Sequence, residues 1–323
     1  MQKAIVILPF LSMPINPPSP PKAGSFLLIL GGANTYTGGT TINAGGVKLS
    51  NVAGLGAAGQ VVTINGGGLI LATDATVNAY NVVVGGSSSI FSDRATVGGG
   101  ITHTLGTLSI GNSTLLSYVG ISGNVNNATA GLTFGTTTFT AATPVFDVSN
   151  IGLTMTLGAL NGNFAFSKAG SGEMILGTNS TRSGGTATLL AGTLKLSHAS
   201  GLGTNAVPLQ LNGGILDLAT DASVTAYNTT VGTDVTIISN RATSGAGITH
   251  VLVTLGIGAN TLSINQGANV SSGTSAVQFG NFTMTGAATL SPNTANLIMA
   301  GNATGAFKLT MSGAGTLQKT TTA

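Results

Sequence analysis

The sequence predicts an all-β fold in which successive coils stack as a parallel β-solenoid, and three observations predict it. Apolar residues alternate with hydroxylated ones in short runs such as Leu132-Thr133-Phe134, Leu153-Thr154-Met155-Thr156-Leu157 and Leu262-Ser263-Ile264. That is the period of a strand with one buried face. Glycine occurs 50 times, too often for stable helix interiors, and Asn-Gly, Gly-Gly and Ser-Gly steps supply the positive φ that corners need. The chain also repeats itself. An offset of 147 residues carries Gly54-Leu55-Gly56 onto Gly201-Leu202-Gly203, residues 71–75 onto 218–222, Arg94-Ala95-Thr96 onto Arg241-Ala242-Thr243, and Ile101-Thr102-His103 onto Ile248-Thr249-His250. Sandwiches and closed barrels have a set number of strands, whereas a single-stranded β-solenoid grows by adding copies.

Taken in order, residues 1–23 stand outside the repeat. Lys3 precedes an apolar stretch over 4–11, interrupted by Pro9, in the order of a short secretory signal. Ser19-Pro20-Pro21-Lys22 offers no small-x-small cleavage site. The solenoid spans 24–323 as two repeats, about 24–169 and 170–316, followed by the start of a third. Coils of about 20–24 residues with strands ~4.8 Å apart give ~13 coils and a rod on the order of 60 Å. Lys48 between Val47 and Leu49, and Lys195 between Leu194 and Leu196, are expected to face solvent. Ile70 in the first copy corresponds to Asp217 in the second, and an unpartnered buried carboxylate is disfavoured, so this position is also expected to face outward. Asn65 and Asn212, each followed by Gly-Gly, suit a corner in which Asn enters the left-handed region.

Charged residues are 5% of the chain, seven acids against ten bases, for a net charge of +3. Ordinary globular domains carry about 25%, so hydroxyls and amides must solvate this surface. The bases stand singly, from Lys3 through Lys48, Arg94 and Lys195 to Lys319. Nucleic-acid binding needs clustered cations and is not expected. With no cysteine there is no disulfide, thiolate metal site or cysteine nucleophile. No apolar run approaches the roughly 20 residues of a transmembrane helix.

Residues 28–42 carry Gly32-Ala33-Asn34-Thr35-Tyr36-Thr37-Gly38-Gly39-Thr40, and Gly45-Gly46-Val47-Lys48-Leu49 follows. This resembles the autotransporter-associated β-strand repeat, or passenger-associated transport repeat. A decayed second copy holds Gly170, Gly172, Gly184-Gly185-Thr186 and Gly192-Thr193-Leu194, with the local offset slipping to 146 so that Tyr36 becomes Arg182. Any ring-specific role is lost there. A third copy opens with Gly313 and Gly315. The resemblance implies a right-handed β-helix from the passenger of a type V secreted protein, at the bacterial surface or outside the cell. It implies an outer-membrane translocator barrel as partner. No barrel strands close this sequence, so it reads as a fragment or as a passenger-like chain anchored by other means.

The polar residues that return with the repeat are explained by architecture rather than chemistry. His103 and His250 are equivalent and about seven coils apart, so they cannot share a site; packed or corner histidines are expected. His198 has Asn51 as its counterpart and is expected in a loop. Asp74 and Asp221 are expected to accept backbone N–H bonds at turns, and Arg94 and Arg241 to pair at the surface. Asp93 becomes Asn240, so Asp93 and Arg94 are not a strict unit. An enzyme acting on polysaccharides is the rival reading, since lyases and hydrolases share this fold class. Glycoside hydrolysis needs two facing carboxyls, and the nearest pair, Asp217 and Asp221, has Ile70 and Asp74 in the first copy. Flat Thr-x-Thr arrays for binding ice or mineral are the remoter alternative, and the motif does not recur on every coil. No catalytic residue, cofactor or metal is expected. The expected role is a rigid stalk or adhesive passenger that helps its own export, with a host-cell, matrix or neighbouring-cell ligand.

Overall fold

The computed structural model describes residues 26–119, 123–126 and 130–320, so the leader expected over 1–23 lies outside the described residues. Among the described residues the regular structure is strand throughout, without helix. The chain divides into two compact units, Met1–Gly158 and Ala159–Ala323.

In the first unit three parallel sheets run side by side. Sheet I is Leu27–Leu30, Gly46–Leu49, Gly68–Ala72, Ser88–Asp93, Thr114–Val119 and Val145–Val148, each strand pairing with the next coil. Sheet II is Thr40–Ile42, Val61–Ile64, Asn81–Val84, Leu108–Ile110 and Thr137–Phe139. Sheet III is Thr102–Thr104, Ala130–Thr133 and Leu153–Leu157. In the second unit sheet IV starts with Phe166–Ala169, Ala187–Leu189 and Leu209–Leu211 and includes the long strands Thr249–Ile257 and Ala276–Met284. Sheet V runs Glu173–Leu176, Thr193–Leu196, Ile215–Ala219, Val235–Asn240, Thr261–Gln266, Ala288–Pro292 and Leu309–Met311. Each unit is therefore a stack of parallel coils, the expected β-solenoid.

Identical positions stack on one another. Val47 pairs in register with Leu69 and Leu69 with Ile90, all fully buried. Leu194, Leu216, Ile237 and Ile264 do the same in sheet V. Each such side chain contributes about 1.5–3 kcal/mol on burial, and parallel backbone bonds join successive coils along the stack.

Coil length varies more than the sequence suggests. The first coils are short, Leu27 pairing with Gly46 and Gly46 with Gly68. Later ones in the same sheet are longer, Ser88 pairing with Leu115 and Thr114 with Val145. The surplus is a lateral loop that stacks on the loop of the next coil. Gly98 bridges Val125 in the first unit, and Gly245–Ala246 pairs with Val270–Ser272 in the second.

One expectation is refined and one corrected. Ile70 and Asp217 point outward as expected, alternating with core leucines, but they are nearly covered, 4% and 8% exposed. Neighbouring side chains on the same face cover them: Ile70 lies between Lys48 and Phe91 in register, and Asp217 between Lys195 and Ile238. Asn65 and Asn212 are not left-handed, since Thr143 is the one non-glycine residue with positive φ among the described residues. The following glycines take that conformation, Gly67 at +80° and Gly214 at +75°, because they lack the Cβ that makes it costly. The Asn65 amide instead donates to Asn43 Oδ1 of the preceding coil at 2.8 Å.

Candidate functional site: the repeated corners

The sequence motif builds a corner between coils. Gly39 has φ +73°, and a Cβ there would stand 2.9 Å from the Val61 carbonyl oxygen. Gly185 has φ +72°, and its Cβ would run into the Phe164 carbonyl. Gly170 and Gly313 also have positive φ, at +75° and +85°, and a Cβ on Gly315 would stand 2.6 Å from the Ala295 carbonyl oxygen. Asn34 donates its amide to the Gly54 carbonyl at 2.7 Å. Thr186 accepts the Phe166 N–H at 3.0 Å through its carbonyl. Ala33, Thr35, Thr37 and Gly38 are exposed, Gly32 and Gly184 half-buried, and Gly172 buried.

Tyr36 and Arg182 occupy the same corner in the two copies. Gly56 approaches the Tyr36 carbonyl as Gly203 approaches that of Arg182. The Tyr36 hydroxyl shares a hydrogen bond with Thr40 Oγ1 at 2.9 Å. Arg182 is buried and does different work there. Its Nη2 donates to the carbonyls of Phe164, Gly184 and Gly185 at 2.7, 2.9 and 2.8 Å, and the guanidinium lies 5.1 Å from the Phe166 ring centroid. Burial lowers its pKa to about 10. Lys168, fully buried, likewise donates to the carbonyls of Ala169, Gly170 and Ala191 at 2.7, 2.9 and 3.1 Å.

Tyr80 and Tyr227 were missed in the sequence, although the 147-residue offset relates them. Both are fully buried. The Tyr80 hydroxyl accepts the Leu55 N–H at 3.1 Å and faces the Val52 and Gly56 carbonyls at 3.0 and 3.1 Å. Tyr227 donates to the Gly203 carbonyl at 3.1 Å, and burial pushes its phenol up to about 12. Each ring plugs the turn formed by the repeated Gly-Leu-Gly.

The remaining polar candidates also serve the stack. Asp74 accepts Thr96 N–H and Oγ1–H at 3.1 and 2.8 Å and pairs with Arg94 Nε at 3.2 Å. Asp221 repeats this with Thr243 at 3.2 and 2.7 Å and Arg241 at 3.2 Å. These bonds hold both carboxyls below their ordinary pKa. They join successive coils rather than closing a local turn. Histidines 103 and 250 are buried, with Nε2 on the carbonyls of Asp93 and Asn240 at 3.0 and 2.9 Å. His198 and Asn51 both lie outside strands, where each accepts an N–H two residues on, at 3.1 and 2.9 Å. Thr102 and Thr104, Gly131 and Thr133, and Thr154 and Thr156 align on sheet III, a hydroxyl patch three coils deep with a gap at Gly131. Among the described residues no three His, Cys, Asp or Glu side chains gather as a metal site would require. Nor is any helix long and apolar enough to cross a membrane.

The corner motif coincides with a family model. Residues 22–49 and 166–196 match the passenger-associated transport repeat. Two short segments of the chain are thus similar to that repeat. The Brucella suis biovar 1 protein named adhesin BmaC autotransporter is 37% identical over 76 residues, 23% of this chain. The aligned segment covers 2% of that relative's length. No solved structure matches the chain.

Proposed function

We propose that this β-solenoid is a non-enzymatic passenger segment that spaces an adhesive surface from the cell and assists its own export. The duplicated corner carries this reading: the same positive-φ glycines recur at Gly39 and Gly185. Around them coil after coil closes on backbone bonds and an apolar ladder. Such a stack adds free energy one coil at a time, which suits folding that proceeds as a chain emerges. The repeat-motif residues are structural in this reading. The carboxylates a hydrolase would use are engaged elsewhere, Asp221 with Arg241 and Thr243, and Asp217 within the face of sheet V.

The test displays the chain on Gram-negative cells through a translocator barrel, beside a Gly39→Val/Gly185→Val variant. Protease accessibility reads display, and binding to host-cell and matrix-coated surfaces reads adhesion. The wild type should display and adhere above the barrel alone, and the variant should display several-fold less. Equal display would sink the export role, and adhesion no better than the barrel's would sink the adhesive one. Turnover of any polysaccharide in a broad panel would overturn the non-enzymatic reading.

A further inference from the structure

We infer that the outer face of sheet I binds a second copy of this chain, face to face and with the coil order reversed. Lys48, Ile70, Phe91 and Tyr118 follow one another in register on four successive coils. They alternate with the buried Val47, Leu69, Ile90 and Ser117, so they point away from the core. The Phe91 and Tyr118 rings stack at 5.1 Å with 18° between planes. Leu116 lies beside them and is followed by Asp147 on the next coil.

The second repeat shows what this face is without that ladder. There the corresponding residues are Lys195, Asp217, Ile238 and Asn265. Lys195 reaches Glu173 and Asp217 at 4.0 and 3.9 Å, so that lysine is neutralised within the chain. In the first repeat Leu27 and Ile70 stand in place of both acids. Among the described residues neither Lys48 nor Asp147 enters an ion pair.

Their placement fits a two-fold axis. Lys48 lies two coils before Phe91 and Asp147 two coils after it, about 10 Å to either side. An axis through Phe91 along the strands sets Phe91 against its own copy and the coil that carries the covered Ile70 against the coil of Leu116 and Tyr118. It also brings each Lys48 opposite the coil that carries Asp147 in the other copy. The flexible lysine stem covers the two-residue offset along the strand. The contact is isologous and closes at two copies.

Sedimentation equilibrium of the full chain over a wide concentration range tests this, with far-UV circular dichroism confirming strand content in each variant. A dimer is expected. Phe91→Lys should abolish it, and Lys48→Glu or Asp147→Lys should each raise its dissociation constant about ten-fold or more. The double swap Lys48→Glu/Asp147→Lys should restore it, and Ile238→Lys on the second repeat should leave it unchanged. A wild-type monomer throughout, a dimer indifferent to Phe91→Lys, or a double swap no tighter than the singles would overturn the inference.

Discussion

Asp217 carries a burden that its counterpart Ile70 does not. Only 8% of it is exposed, its Oδ2 meets Asn240 Nδ2 at a long 3.4 Å, and its Oδ1 has no hydrogen-bond partner. Desolvation raises its pKa, outweighing Asn240 and Lys195, which act to lower it. A carboxyl whose folded pKa is raised contributes stability below its unfolded pKa and loses it as pH rises through the folded one. Asp217→Asn is therefore expected to be more stable than wild type at neutral pH, with the gap closing towards pH 3. Urea midpoints across that range check it, and a variant less stable at pH 7 would refute the cost assigned to the charge. Other exchanges between the copies keep the same hydrogen bond. Asp93 and Asn240 each present Oδ1 to the following N–H at 2.8 Å. Asn51 and His198 each present an acceptor two residues ahead. The duplication conserves acceptor atoms more closely than residue types.

At the scale of strands and corners, alternation read the strands, and Gly39 and Gly185 read the corners, because both signals are local. The outward direction of Ile70 and Asp217 was legible, but their cover was not, because cover on a sheet's outer face comes from adjacent coils, which lie far away in sequence. Coil length was misread because the lateral loops at Gly98 and Gly245 are each held by the loop of the next coil, at Val125 and at Val270–Ser272, and carry no periodic pattern. The histidine strands illustrate what buried polar groups do to an element. Burial lowers the pKa of both His103 and His250, so the folded rings stay neutral where the unfolded chain takes up protons. Their stabilisation is complete above the unfolded pKa near 6.5 and is lost as pH falls through the folded value, at up to about 1.4 kcal/mol per pH unit for each ring. Between pH 7 and 5 the wild type is expected to lose more stability than His103→Gln/His250→Gln. Hydrogen exchange should quicken first in Thr102–Thr104 and Thr249–Ile257. Equal losses in the two proteins would remove the histidines as the cause.

Over the whole molecule, the small share of charge decides how stability responds to ions. The ion pairs among the described residues are Asp74–Arg94, Asp221–Arg241, and Lys195 with Glu173 and Asp217, and none is sealed from solvent. Exposed pairs contribute little and are screened, the Debye length falling from about 30 Å at 0.01 M salt to about 3 Å at 1 M. Surface repulsion is equally scarce, with only 5% of residues charged. What remains is the apolar ladder and the backbone bonds between coils, which sodium chloride barely touches. Excluded salts such as sulfate strengthen burial instead. Thermal unfolding is therefore expected to shift by no more than about 2–4 °C between 0.05 and 1 M sodium chloride, and to rise clearly in sodium sulfate of matched ionic strength. A large chloride dependence would mean that charge, and not the stacked core, holds the coils together.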